Sequence, residues 1–357
     1  MSILAIVNLK DVKVGSKLSK EVFDFNTGRI ILSKGTQLSE RHMEQLSLMG
    51  VHFVEVESGE RENRNETGVT IEDVMNLEER VVYYTNKLVE NLNELYEMVK
   101  NGKKLILNNI SKTLDSVLEN ILVNDDIMEK IRIIDLDDID YTLKHSIHVC
   151  FYSAMIGKWL KYDNIRIKQL SLSALLHDIG KAKVPEYILN KPEKLTEKEY
   201  EIVKKHVIYG YNILKETVGI SQAVAYGALQ HHERENGSGY PLGITSDQIH
   251  QYAKIIAVCD IYDAMTSQRV FKSKKSLFLV ADMIHRDSFG TLDPKISLLF
   301  LKNLSKFYVG NAIRLNDGRE GIIVYINRNE PTKPVVKVEE EYIDLSTNKK
   351  FSIEEIL

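Results

Sequence analysis

The sequence feature that most constrains this chain is an apolar helical run that ends in two adjacent polar residues, His177 and Asp178. The run and the residues that follow it read SLSALLHDIGK (171–181). An aspartate is almost never fully buried unless it is paired or coordinated, so this pair predicts a polar or metal-binding site at the end of a core helix. Histidines are concentrated around it, because seven of the ten fall between residues 145 and 250.

The composition indicates a globular protein of two or three domains. Charged residues are 27% of the 357 and the net charge is −4, which does not favour binding to DNA, RNA or a membrane surface. The two cysteines, Cys150 and Cys259, lie in apolar runs and form no CxxC motif, which fits a reducing compartment. The amino terminus lacks a signal-peptide pattern and no apolar run reaches membrane-span length, so we expect a cytoplasmic protein.

The hydrophobic pattern divides the chain into four segments and predicts a mainly α fold. Residues 1–58 are expected to form a small mixed α/β regulatory unit, and residues 59–128 a polar linker followed by a helical connector. Residues 129–302 have the pattern of a helical bundle. Residues 303–357 are expected to form a small β appendage, with an Asp-Gly hairpin signal between its first strands.

Within the third segment, apolar residues at spacings of three and four predict a series of helices. They are Tyr141–Leu160, Asn164–His177, Thr196–Leu214, Ser221–His232, Ser246–Ser267 and Ser276–His285. A glycine-rich stretch, ERENGSGYPLG (233–243), interrupts this series. Long irregular loops inside a compact domain are usually functional, so this stretch is a candidate binding loop.

The connector allows two interpretations. From Thr70, apolar residues keep helical spacing through Met98, with Asn91 as an interruption. A short parallel coiled coil with a register-setting Asn would make a homodimer through residues 70–98. The alternative is ordinary helix packing within the monomer. The amino-terminal unit carries no catalytic constellation and is a candidate surface for a protein partner.

Residues of metal-ligand type recur on five consecutive helical stripes that face the predicted core. They are His145, His177, Asp178, His206, His231, His232 and Asp260. A shared polynuclear metal site gives every one of these buried polar groups a partner. Five imidazoles and two carboxylates without cysteine suit Fe, Mn or Zn rather than a structural zinc site. Seven ligands supply two ions well, and two ions about 3.5–4 Å apart are the standard arrangement for displacement at phosphorus.

These motifs closely resemble the HD-GYP subset of the HD phosphohydrolases, which hydrolyse cyclic di-GMP. The matching elements are HSIHV (145–149), HDIGK (177–181), His206, HHERENGSGYP (231–241) and VCDIYDAMTSQRVFK (258–272). The resemblance covers roughly residues 130–290 and implies an HD-type helical bundle. It implies a phosphodiesterase in which a metal-bridging hydroxide attacks phosphorus and opens cyclic di-GMP to linear pGpG, with a second cut to GMP left open.

The resemblance also implies roles for the polar residues around the HD pair. It makes the seven residues above the ligands of two divalent ions, Fe or Mn, with Asp178 as the expected bridge. Lys181 matches the lysine of the family, which can donate to a phosphate oxygen or protonate the leaving oxygen. Asp263 lies one turn after Asp260 and is expected to orient Lys181, with a helix-surface salt bridge as the alternative.

For substrate binding, the resemblance points to a loop and to two basic residues. Gly239, Tyr240 and Pro241 match the signature loop, whose glycines let the backbone approach a ligand. Tyr240 offers a face for a guanine. Arg269 and Lys272 match the positions expected to hold substrate phosphates, through fork and point-charge contacts respectively.

The sequence departs from the family pattern in three places. Tyr141 stands where some members carry a Glu that binds a third metal, so we expect two metals. The segment RVF (269–271) replaces an RPY-type segment, and Lys254 replaces an arginine and so lacks its bidentate donor. His148 and His250 match no ligand position and are expected to be core or surface residues.

Two other functions are compatible with the sequence. The same metal site could act on a mixed cyclic dinucleotide or another phosphoester, although the GSGYP loop argues against distant substrates. A ligand-responsive binding scaffold is the third hypothesis. The complete ligand set argues against it, because a degenerate sensor is free to lose ligands.

Overall fold

The fold is taken from a computed structural model, and it is mainly helical, as predicted. The described residues are 3–9, 12–23, 30–48, 53–58, 75–123, 139–266, 280–284, 290–327 and 330–357. They divide into two compact units, one that extends to residue 80 and one that begins at residue 81. In the part of the chain described, no helix combines the length and the hydropathy of a membrane span. The predicted domain boundaries after residues 58, 128 and 302 stay predictions.

The first unit combines short strands with one helix. Its elements are β1 (Ile3–Asn8), β2 (Lys17–Leu18), β3 (Val22–Phe23), β4 (Ile30–Leu32), α1 (Glu40–Leu48) and β5 (Phe53–Ser58). β5 pairs antiparallel with both β1 and β2, and β3 pairs antiparallel with β4. Leu18, Leu38 and Leu46 are fully buried, so the sheet and α1 share one apolar core.

The second unit contains the helical bundle. Its helices are α2 (Leu77–Lys100), α3 (Asn108–Ile121), α4 (Tyr141–Trp159), α5 (Asn164–Leu175), α6 (Glu186–Leu189), α7 (Glu197–Lys204), α8 (His206–Lys215), α9 (Gln222–Gln230), α10 (Gln251–Thr266) and α11 (Pro294–Lys306). Short 3₁₀ turns cover Ile179–Lys183 and Ser246–Gln248. The helix α4 lies at the centre, where it is buried along almost its whole length and packs against α5, α10 and α11.

Polar side chains define where several of these helices begin. Asp140 accepts a hydrogen bond from the amide of the second residue of α4, and Asp163 accepts one from the third residue of α5. Thr196 and Glu199 form a reciprocal capping box at α7. Asp293 caps α11, whose first residue is a proline. Each cap satisfies amide groups that have no partner inside the helix, so the sequence fixes these helix starts locally.

Three predicted helix boundaries need correction. The predicted helix Thr196–Leu214 is two helices, α7 and α8, which are separated at Lys205. The predicted helix Asn164–His177 ends at Leu175, because the chain must turn to pack the HD pair against α8. The predicted helix Ser246–Ser267 begins only at Gln251, after a 3₁₀ turn. Of the predicted Ser276–His285, only residues 280–284 are described, and they are helical.

The connector helix α2 packs within the monomer. Leu88 and Leu92 are fully buried, and the Asn91 side-chain amide donates to the Thr113 hydroxyl of α3 at 2.8 Å. The polar interruption that the sequence suggested as a register-setting residue therefore has an intrachain partner. Packing within the monomer is the interpretation this contact favours, and the homodimer through residues 70–98 stays a prediction.

The C-terminal appendage is an antiparallel five-stranded sheet. Its strands are β6 (Ala312–Leu315), β7 (Glu320–Tyr325), β8 (Val335–Val338), β9 (Glu341–Asp344) and β10 (Ile353–Ile356), in the order β10-β6-β7-β8-β9. The predicted Asp-Gly hairpin is confirmed, because Asp317 and Gly318 lie in the turn between β6 and β7. Ile313, Leu315 and Ile323 are fully buried and supply its apolar core.

A glycine allows the turn after α5 to approach α8 closely. A Cβ atom added at Gly180 would lie 1.9 Å from the carbonyl oxygen of His206 and 2.5 Å from the amide nitrogen of Gly210. Any other residue would push the two segments apart. Gly180 therefore sets the distance between the HD pair and His206.

Replacing Gly180 with alanine is expected to lower the free energy of unfolding by about 1–3 kcal/mol, because the added methyl group overlaps backbone atoms that cannot move independently. Urea denaturation measures this change. Gly210→Ala is the matched control, since its Cβ meets its nearest neighbours at 3.4 Å and alanine is the better helix former. Equal unfolding midpoints for the two variants would contradict the close-approach argument.

Candidate metal centre

The structure brings all seven predicted metal ligands into one cluster in the helical bundle. Their ligand atoms lie within 4.8 Å of one another in three overlapping groups: His206, His231 and His232; His145, His177 and Asp260; and His177, Asp178 and His231. The residues come from α4, the turn after α5, the start of α8, the end of α9 and the middle of α10. The predicted convergence of five helical segments is thus present, and their assignment as metal ligands stays a prediction.

Asp178 lies at the centre of this cluster and is 1% exposed. Its Oδ1 atom is 3.2 Å from Nε2 of His206 and 3.8 Å from Nε2 of His231. Its Oδ2 atom is 3.3 Å from Nε2 of His177 and 4.0 Å from Nε2 of His145. Each carboxylate oxygen therefore faces a different pair of imidazoles, which is the placement that a carboxylate bridging two ions needs.

Three of the imidazoles are oriented by the same backbone contact. In each, Nδ1 donates to the carbonyl oxygen three residues earlier, at 2.6 Å for His177, 2.6 Å for His206 and 3.0 Å for His231. A carbonyl oxygen can only accept, so Nδ1 carries the proton and Nε2 presents its lone pair to the cluster. Metal-bound histidines are oriented in this way by their second nitrogen.

Two buried atoms at the centre lack hydrogen-bond partners among the described residues. They are Oδ1 of Asp178 and Nε2 of His177. Buried polar atoms without partners are rare in folded proteins because each costs about 1–3 kcal/mol. Cations held by this cluster would satisfy both atoms, so the donor set fits a metal site of nitrogen and oxygen ligands.

The charges in the cluster suit a cation. Burial alone would raise the pKa of Asp178, but the charge of Lys181 and the contact with His177 hold it well below its usual range. Burial lowers the pKa of His231 well below its usual value. The central carboxylate is therefore ionised and His231 is neutral, which are the protonation states in which both bind metals.

His145 carries a proton that a metal ion would displace. Burial alone would lower the pKa of His145, but its contacts with Asp260 and Asp263 raise it to about 9. Nε2 of His145 is 3.1 Å from Oδ1 of Asp260, so a proton on Nε2 would be shared with this carboxylate. Metal binding to these two residues is expected to release this proton.

The structure revises the predicted role of Asp263. It was expected to orient Lys181, but its two carboxylate oxygens accept from Nδ1 of His145 at 2.7 Å and from Nδ1 of His148 at 2.8 Å. The physical reason is that α10 packs against α4, so Asp263 lies beside the histidines of that helix. Lys181 instead donates to Oδ2 of Asp178. His148 is a core residue, as one of the two expectations had it.

The glycine-rich loop reaches the edge of the cluster through Tyr240. Its ring stacks on the ring of His232, with centroids 4.7 Å apart and an interplanar angle of 29°. The ammonium group of Lys204 lies 5.3 Å from the centroid of the same ring. The expected role of Tyr240 as a face for guanine stays a prediction, and Arg269 and Lys272 lie outside the described residues.

The positions that depart from the family pattern have partners of their own. The Tyr141 ring stacks on His145, with centroids 5.8 Å apart and planes 12° from parallel. The Lys254 ammonium lies 3.1 Å from Oε1 of Glu235 and 3.0 Å from the Ser246 hydroxyl, so it ties the glycine-rich loop to α10. His250 is half-buried and its Nδ1 accepts from a backbone amide of α10.

Comparison with known families identifies the region that contains the cluster. A family model described as the HD domain matches residues 137–296. The chain carries an HD domain. The first and last of the seven clustered residues, His145 and Asp260, both fall inside this match.

Curated relatives are similar to this chain over part of its length. Cyclic di-GMP phosphodiesterase PA4108 of Pseudomonas aeruginosa is 37% identical over 201 residues, which are 56% of this chain and 48% of that protein. The 3′3′-cGAMP-specific phosphodiesterase 1 of Vibrio cholerae is 36% identical over 169 residues, 47% of this chain and 39% of that protein. The chain thus spans about half, or less, of the length of these curated relatives.

One solved structure shares the fold over most of the chain. Bd1817, an HDG"Y"P protein from Bdellovibrio bacteriovorus, covers 84% of this chain and 98% of its own chain. The TM-score is 0.56 at 16% sequence identity. This likeness confirms the HD-type helical bundle that the sequence predicted.

Two residues at the HD-domain site had no assigned role in the sequence analysis. His148 shares Asp263 with His145, and its spacing of three residues after His145 on a helix was the available signal. Glu233 follows the predicted ligand His232 directly and is buried, although the loop around it is polar. The signal in the sequence that could have identified Glu233 is its position directly after the two ligand-type histidines, His231 and His232.

Replacing Asp263 with asparagine is expected to weaken metal binding about 10- to 100-fold, because the amide nitrogen cannot accept and one imidazole loses its partner. Competition with a chromogenic Mn²⁺ chelator measures the affinity. Asp163→Asn is the matched control, since asparagine caps a helix as well as aspartate does. Unchanged affinity in Asp263→Asn would show that the carboxylate does not orient His145 for a metal.

Proposed function

We propose that the HD domain of this chain is a metal-dependent phosphodiesterase that hydrolyses cyclic di-GMP. The observation that carries the proposal is the placement of Asp178, whose two oxygens face different pairs of imidazoles beside Lys181. The names of relatives such as PA4108 support the substrate. The GSGYP loop, which reaches this cluster through Tyr240, supports it as well.

Two divalent ions, Fe or Mn, fit the donor set. One would be held by His206, His231 and His232, and the other by His145, His177 and Asp260, with one oxygen of Asp178 for each. Such a pair of ions lowers the pKa of bound water and stabilises charge on the phosphoryl oxygens. Tyr141 is a poor ligand at the position of a third site, so we propose two ions and not three.

Lys181 is the proposed proton donor to the leaving group. Its ammonium contacts Oδ2 of Asp178 and its side chain is 23% exposed, so Lys181 can contact both the cluster and a bound substrate. When the phosphodiester opens, the 3′-oxygen that leaves needs a proton, and Lys181 is the nearest described cation to the bridging carboxylate. We propose linear pGpG as the first product and GMP as the product of a second cut.

The glycine-rich loop is the proposed guanine-binding element. Gly239, Tyr240 and Pro241 lie beside His232, so a base on this loop would sit next to the phosphate held at the cluster. Arg269 and Lys272 are proposed to hold substrate phosphates. A 3′3′-cyclic GMP-AMP substrate is the second candidate, because a relative specific for it is 36% identical to this chain.

Hydrolysis of cyclic dinucleotides by protein purified without air and loaded with Fe²⁺ or Mn²⁺ tests the proposal. We expect cyclic di-GMP to be converted to pGpG and to be preferred over 3′3′-cyclic GMP-AMP in competition. Asp178→Ala is expected to lower the rate by more than about a hundredfold, because partners outside the ligand shell are already worth 10- to 100-fold. No turnover of either dinucleotide with metal confirmed bound would refute it.

Two controls complete this test. Asp115→Ala removes a half-buried carboxylate on α3 that pairs with Lys168 and lies outside the ligand cluster, and the rate should stay unchanged. Asp178→Ala in cells separates catalysis from a scaffold role, since regulation that survives the change would indicate binding rather than hydrolysis. Sedimentation of the purified protein tests the proposed homodimer through residues 70–98, and the amino-terminal unit is the proposed surface for a protein partner.

A further inference from the structure

Glu233 is a buried carboxylate directly after the predicted ligand His232, at the first position of the glycine-rich stretch 233–243. It is 2% exposed. An ionised carboxylate in such a place is unstable unless several donors satisfy it. None of the three clustered ligand groups among the described residues includes Glu233, so its oxygens serve another purpose.

Both oxygens of Glu233 accept hydrogen bonds from the backbone of the loop. Oε1 accepts from the amide of Leu242 at 2.7 Å, and Oε2 accepts from the amide of Ile244 at 3.3 Å. These amides lie directly after Gly239–Pro241. In the described part of the chain, these two backbone amides are the hydrogen-bond partners of its carboxylate oxygens.

The other end of the same loop is fastened to the ligand segment. The amide of Tyr240 donates to the carbonyl oxygen of His232 at 3.2 Å. A Cβ atom added at Gly239 would lie 2.4 Å from Cα of Glu233 and 2.5 Å from the carbonyl oxygen of His232. The loop thus folds back onto residues 232–233 at one end through close backbone packing and at the other through the Glu233 carboxylate.

We propose that Glu233 is a positioning residue that holds the Gly239–Pro241 loop at a fixed distance from the metal centre. It does so by satisfying the two amides that follow the loop while its own backbone abuts Gly239. Its effect reaches the substrate through Tyr240, whose ring stacks on His232. The inference rests on the proposed function, because it assigns to this loop the binding of a cyclic dinucleotide.

Kinetics can distinguish a residue that positions the loop from one that only stabilises the helical bundle. A ligand held only by the cluster does not need the loop, whereas a cyclic dinucleotide contacts both. Loss of the Glu233 contacts should therefore raise KM for the dinucleotide more than it slows turnover. A small diester such as bis(4-nitrophenyl) phosphate should be affected less.

Glu233→Gln is the decisive variant, because it keeps the shape of the side chain while its amide nitrogen cannot accept from a backbone N–H. We expect KM for cyclic di-GMP to rise about tenfold with a smaller change in kcat, as for lost ground-state binding. Metal content should stay at the wild-type value. The loss in kcat/KM for bis(4-nitrophenyl) phosphate should be smaller than the loss for cyclic di-GMP by a factor of about five or more.

Hydrogen exchange gives a second readout that needs no substrate. The amides of Leu242 and Ile244 should exchange about tenfold faster in Glu233→Gln, because their acceptor is weakened. Glu216→Gln, at the exposed end of α8, is the matched control and should change none of these quantities. If the wild-type protein does not hydrolyse cyclic di-GMP, the proposed function is wrong. The exchange test still applies in that case, because it needs no substrate.

Two outcomes would overturn the inference itself. Unchanged exchange at Leu242 and Ile244 in Glu233→Gln would show that the carboxylate does not hold the loop. Loss of metal, or equal loss of activity on the small diester and on the dinucleotide, would place Glu233 in the support of the metal centre instead.

Discussion

The structure depends on the burial of one carboxylate, Asp178, in the middle of a helical bundle. A buried charge is tolerated only where partners surround it, and here the partners come from four segments, which are α4, the turn after α5, α8 and the end of α9. Gly180 lets its turn approach α8, and the break at Lys205 places His206 at the start of that helix. The termination of α5 at Leu175 frees the HD pair from the helix, so these departures from regular helix all serve the same centre.

Around this carboxylate the contacts form successive layers. Backbone carbonyls orient His177, His206 and His231 so that the Nε2 lone pairs of these three imidazoles point inward, and Asp263 orients His145. On one side, the ring of His232 stacks on the ring of Tyr240, which connects the cluster to the glycine-rich loop. The candidate metal centre and the loop are thus connected by direct contacts, which is why the proposed function assigns substrate binding to both.

Much of the site was predictable because helical periodicity is local. The spacing of His145, His206 and Asp260 along their own helices places each on an inward face, whatever the tertiary arrangement. The partner of Asp263 was not predictable, because it depends on how α10 crosses α4. The break between α7 and α8 was missed because no proline or glycine marks it, and the role of Glu233 depends on amides nine and eleven residues away.

The central claim is that Asp178 bridges two metal ions. Anomalous diffraction at the Fe or Mn edge, from crystals of protein purified without air, measures this directly. The account predicts two peaks about 3.5–4 Å apart, one on each side of the Asp178 carboxylate. A single peak, or two peaks that do not share Asp178, in crystals with the metal-binding residues ordered would contradict it.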